Sequence, residues 1–136
     1  MGKSRKQERF ESFSKHFDEA VEKLGLGQVR FDLYEGVPEW TEIDEDEGLC
    51  AAGYSRYHPE AQYAEVYFNS AADDDPEYIA WHEACEVLLM DLMYVATAAV
   101  HRRKFDDEDW TTECHRVINR ICHSRGLRPN KNKPGA

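Results

Sequence analysis

One segment limits the fold of this chain more than any other. From Pro76 to about residue 102 the residues read as a single helix, with Asp75 as its N-cap and Pro76 in its first turn. Take about 100° of rotation per residue and set His82 at zero. Leu89, Met93, Ala96 and Val100 then fall within about 40°, and Glu86 lies about 40° to the other side. Ile79, Cys85, Leu88, Leu92 and Ala99 widen the apolar stripe. A helix this apolar needs other elements to cover it. The 136 residues suffice for one core of that kind and not for two, so a single domain is expected over residues 1–125.

The covering elements can be read from the two periods. Phe10, Phe13, Phe17, Ala20, Val21 and Leu24 recur at helical spacing, which predicts an amphipathic helix over 4–24 closed by Gly25 and Gly27. Val29, Phe31 and Leu33 then alternate with polar residues, the mark of a half-buried strand. Two further strands, about 50–57 and 62–69, are joined at HPEA as a hairpin, so the sheet occupies about 28–69. A last helix is expected at about 107–124, and residues 126–136 form a basic tail. The reading is α+β: a small, mainly antiparallel sheet on the long helix, with flanking N- and C-terminal helices.

Charge excludes some partners. The formal net charge is -10, and from Glu35 to Asp91 there are sixteen acids and one base, Arg56. Such a surface disfavours DNA and anionic membranes, which both need a positive field. The chain has no apolar run of the ~18–20 residues that a membrane helix requires. Its first ten residues, MGKSRKQERF, lack the apolar core of a secretion signal. A cytoplasmic protein is expected. The four cysteines form no CxxC pair, so a zinc knuckle is not expected either.

The chemistry concentrates in WHEACEVLL. His82 and Glu86, one helical turn apart, border the buried side of an apolar helix, where ionisable groups need partners. A divalent metal would satisfy both, and so would a plain hydrogen-bond pair. At these residues the chain resembles the zincin metallopeptidases, whose helix carries HExxH, and more specifically the small zincin-like proteins of bacteriophages. The resemblance covers about residues 28–124. It implies that His82 is the first metal ligand, Glu83 the general base on a metal-bound water, and Glu113 a third, acidic ligand. Glu86 stands where the family has its second His. A His82, Glu86, Glu113 set would accept Zn²⁺, with Mn²⁺ or Fe²⁺ about as natural. In a degenerate site it would hold no metal. For a phage-encoded protein the host cytoplasm would be the location. The resemblance also implies that strand 62–69 is an edge against which a peptide substrate or partner could pair.

On the last helix Glu113 lies about 80° from the centre of the apolar stripe, whereas His115 lies about 120° away and is expected to face water. The acidic run Asp44–Glu47 has no structural explanation. It supports a second reading, a non-enzymatic zincin-fold or acidic interaction protein that binds a basic partner or mimics DNA.

Overall fold

The structure is a computed structural model, and it describes residues 2–40, 51–100, 115, 118, 119, 122, 125–127 and 129. The expected third ligand Glu113, the acidic runs at 44–47 and 106–109 and most of the tail lie outside the described residues.

The first helix, α1, spans Arg5–Lys23. Ser4 caps it reciprocally with Gln7: the Gln7 N–H donates to Ser4 Oγ at 3.2 Å, and the Ser4 N–H donates to Gln7 Oε1 at 3.0 Å. Past its end Gly25 takes a φ of +71°, a left-handed turn open to glycine at no steric cost. Strand β1 follows at Arg30–Glu35, β2 at Gly53–His58 and β3 at Tyr63–Phe68, with a 3-10 turn over Pro59–Ala61 joining the last two. Helix α2 runs over Pro76–Val100. The class is α+β, as the two periods predict.

The sheet differs from expectation in two ways. Its order is β1-β3-β2, with β3 antiparallel to β2 but parallel to β1, so the sheet is mixed rather than mainly antiparallel. Strand β3 is also the centre and not an edge. The expected peptide-pairing edge at 62–69 is therefore already bonded on both sides. The cause is burial: Ala64, Val66 and Phe68 are all completely buried, so the most apolar strand takes the middle. The β2–β3 connection is short enough to force an antiparallel pair, and β1 takes the other flank of β3.

Both helices cover one face of the sheet. Phe13 of α1 stacks on Phe68 with ring centroids 4.8 Å apart, and Phe17 meets Phe31 edge-on at 5.0 Å. From α2 come Ile79, Ala80, Trp81, Ala84, Cys85 and Val87, joined by Ile118, Cys122 and Leu127 of the C-terminal residues. Among the described side chains the apolar stripe of α2 is buried in its first half and more exposed beyond it, where Leu92 is 53% exposed. The outward face of the sheet carries Tyr34, Tyr67 and Tyr54 in one row, with Trp40 edge-on against the last two. Among the described residues no helix is long and apolar enough to cross a membrane.

One side chain fixes where α2 begins. Arg9 of α1 donates from Nε to the Ser70 carbonyl at 3.2 Å, and from Nη2 to the carbonyls of Ala72 and Asp74, each at 2.7 Å. Its guanidinium also lies over the Phe68 ring. Three backbone acceptors in the turn before Pro76 are thereby satisfied by one cation. The Asp75 N–H donates to the Pro129 carbonyl, which ties the C-terminal residues to the same corner.

Candidate metal centre

The helical spacing brings His82 and Glu86 together as expected: His82 Nε2 lies 3.2 Å from Glu86 Oε1. The third group is a histidine. His115 Nε2 lies 3.0 Å from the same Glu86 oxygen, and the two imidazole rings stand 5.5 Å apart. His115 is half exposed, as a water-facing residue should be, yet its ring reaches across to α2. Its helical segment is held there by Tyr78 of α2, whose hydroxyl donates to Asn119 Oδ1 at 3.1 Å. An angle measured from the centre of a stripe gives no distance to a neighbouring helix, and for that reason the sequence concealed His115.

The donor atoms of His82, Glu86 and His115 all lie within 4.8 Å of one another. Bonds of ~2.0–2.1 Å at a tetrahedral angle put neighbouring donors roughly 3.3 Å apart. The two nitrogen–oxygen separations, 3.2 and 3.0 Å, are close to that. Two imidazoles and one carboxylate form a borderline donor set suited to Zn²⁺. One feature is unlike most such sites: His82 Nδ1 is buried with no hydrogen-bond partner among the described residues, where a ligating histidine usually finds a carboxylate or carbonyl.

Glu86 is the hub. Burial alone would raise its carboxyl, but the hydrogen bond and charge of His82, with further hydrogen bonds from Glu83 and His115, hold it at about 2. Its second oxygen, Oε2, accepts from Ser55 Oγ of β2 at 3.0 Å. It is thus ionised at any working pH.

Glu83 sits behind the hub, wedged between α2 and β2 and only 3% exposed. Burial first, and then the charge and hydrogen bond of Glu86, raise its carboxyl well above the ordinary range, against a smaller opposing effect of Ser55. Of the two acids, Glu83 keeps the proton and donates it to ionised Glu86. In the metal-free protein this has a pH signature. The fold binds the Glu83 proton more tightly than the unfolded chain does, so stability falls as pH rises above 4.5. Glu83→Gln keeps the shape and removes the titration. Its melting temperature should match the parent below pH 4.5 and exceed it by a widening margin towards neutral pH. Parallel melting curves across that range would rule out the buried acid.

The tight approach of β2 to α2 depends on Gly53. A Cβ at this position would lie 2.5 Å from Glu83 Oε1 and 2.7 Å from Ile79 Cγ2. Neither neighbour can give way easily, because both belong to the packed face of α2. Gly53→Ala should cost about 1–3 kcal/mol of stability, the usual range for overpacking. Chemical denaturation would read it, and a neutral substitution would mean that the strand shifts freely.

Among the described residues Cys85 and Cys122 are buried free thiols. Burial pushes the Cys85 thiol up to about 12 and that of Cys122 to about 11, so neither is a ready nucleophile. The structure thus assembles His82 and Glu86, adds His115 and Ser55, and places Glu83 in the core. No family model matches the chain, and no curated protein or solved structure matches it either.

Proposed function

We propose that this protein is a divalent-metal-binding domain that holds Zn²⁺ through His82 Nε2, Glu86 Oε1 and His115 Nε2. The observation that carries this reading is the convergence of three donor atoms, from two separate parts of the chain, within 4.8 Å. Helical spacing alone explains His82 and Glu86. It does not explain why a second imidazole is brought to the same oxygen. Mn²⁺ and Fe²⁺ become less suitable than for the expected His, Glu, Glu set, because two nitrogen donors soften the site.

Three protein donors leave a fourth position, the arrangement of catalytic rather than structural zinc. The HExxE likeness to zincins supports placing the activity among metal-dependent hydrolases, with a peptide or protein as substrate. A bound ion would supply Lewis acidity and a more acidic water. The chain's own residues do the rest. Glu86 neutralises one charge, and His82 and His115 add none. Glu83, buried and protonated, is placed to steady Glu86 rather than to take a proton from solvent-side water.

Protein purified without a histidine tag, loaded with Zn²⁺ and dialysed, should retain one equivalent by elemental analysis and melt at a higher temperature than the stripped form. Sub-stoichiometric metal with no gain in melting temperature on adding Zn²⁺, Mn²⁺ or Fe²⁺ would overturn the reading. A second reading, a non-enzymatic interaction protein, is favoured by the outward aromatic row, where Tyr34 is 40% and Trp40 43% exposed.

A further inference from the structure

Glu86 offers only one of its two oxygens to the histidines. Oε1 lies between His82 and His115, while Oε2 is turned towards β2 and accepts from the Ser55 hydroxyl at 3.0 Å. Ser55 is well placed to hold it. It stands on the inward face of β2, with its backbone paired to Val66 of the central strand. Its neighbours on that face are also fixed. Gly53 abuts Glu83 and Ile79, and the Tyr57 hydroxyl donates to Asp91 Oδ1 of α2 at 2.6 Å. The hydroxyl therefore comes from a rigid strand clamped to α2 on both sides.

A carboxylate can bind a metal through one oxygen or chelate it through both. Chelation would require Oε2 to swing towards the ion and break the bond to Ser55. One-oxygen binding suits a four-coordinate ion with short bonds, whereas chelation favours ions of higher coordination number. We propose, on the basis of the metal reading above, that Ser55 is a positioning residue. It makes Glu86 a one-oxygen ligand and so sets a preference for Zn²⁺ over Mn²⁺.

The test compares the parent, Ser55→Ala and Ser55→Thr as tag-free, full-length proteins. Zn²⁺ and Mn²⁺ affinities are measured by competition with a chelator, and Co²⁺ is added as a coloured reporter of coordination number. In the parent and in Ser55→Thr, which keeps the hydroxyl, Zn²⁺ should be strongly preferred and Co²⁺ should give the intense visible bands of a four-coordinate site. In Ser55→Ala, Zn²⁺ affinity should fall by about 10-fold, the lower end for loss of a residue that supports a ligand. Mn²⁺ affinity should fall less, and the Co²⁺ bands should weaken as the coordination number rises. An alanine variant with parental affinities, selectivity and Co²⁺ spectrum would overturn the role of Ser55 and leave the metal site standing. A threonine variant as impaired as alanine would overturn it too, including where alanine prevents folding. If the parent binds no Zn²⁺, the metal reading falls and this inference falls with it.

Discussion

His115→Ala is expected to weaken Zn²⁺ binding by more than about 100-fold, beyond the loss that follows removal of a residue that merely supports a ligand. Connectivity matters at this site as much as chemistry. His82 and Glu86 share one helix and would remain adjacent in any chain that forms α2, but two protein donors alone hold zinc weakly. His115 closes the set from another part of the chain, 3.0 Å from the shared oxygen. Its loss leaves a two-donor site with more of the coordination sphere given over to water. The ring is half exposed, so the metal-free variant should melt near the parent. His58→Ala is the matched control. That imidazole stacks on Tyr63 on the outward face of the sheet, away from α2, and its loss should leave Zn²⁺ affinity unchanged. Titration against a competing chelator at neutral pH reads both variants. A His115→Ala protein that binds like the parent would remove His115 from the ligand set.

Phe13→Ala should produce the largest loss of stability, about 3–5 kcal/mol. Phe13 is completely buried and touches aromatic rings on three sides: Phe68 stacked at 4.8 Å, Phe17 at 5.7 Å and Phe10 at 6.2 Å. The cavity would open between α1 and the central strand, where neither rigid sheet nor capped helix can collapse into it. Small domains carry a total of about 5–15 kcal/mol, so the variant gives up a large share. Thermal melting should fall by roughly 10–20 °C for a chain of this length. The lost contacts are on the α1 side of the core, whereas His82 and Glu86 are on α2 and His115 lies beyond it, so the two effects should add. Saturating Zn²⁺ should raise the melting temperature of Phe13→Ala as much as that of the parent. A loss below about 1 kcal/mol would mean that the ring cluster repacks.

The helices could be read from the sequence because their signals are local. Ser4, the phenylalanine spacing and Gly25 mark α1, and Pro76 opens α2 at the expected residue. The hairpin could be read for the same reason, from HPEA and its flanking alternation. The position of β3 could not. The alternation of Ala64, Val66 and Phe68 says that one face is buried, but not that both edges are bonded. That depends on β1, nearly thirty residues earlier in the chain.

The site divides along the same line. His82 and Glu86 follow from one helical turn. The burial of Glu83 follows from a strand that packs over it, which its own helix does not record. Ser55 could in principle have been found, since alternation puts it on the same face of β2 as Gly53 and Tyr57, but nothing local pairs it with Glu86. Glu113, the ligand implied by the zincin likeness, lies outside the described residues.

Arg9 gives the N-terminal helix a mechanical office. A single guanidinium spans three carbonyls in the turn that launches α2, and α2 carries two of the three donors. The seat of α2 is thus indexed from the neighbouring helix, like a beam pinned at one joint. Residues 5–23, outside the span that resembles zincins, are consequently part of the working unit. A fragment that begins at β1 would keep Phe68 but lose both the Arg9 pin and the Phe13 ring stacked on it.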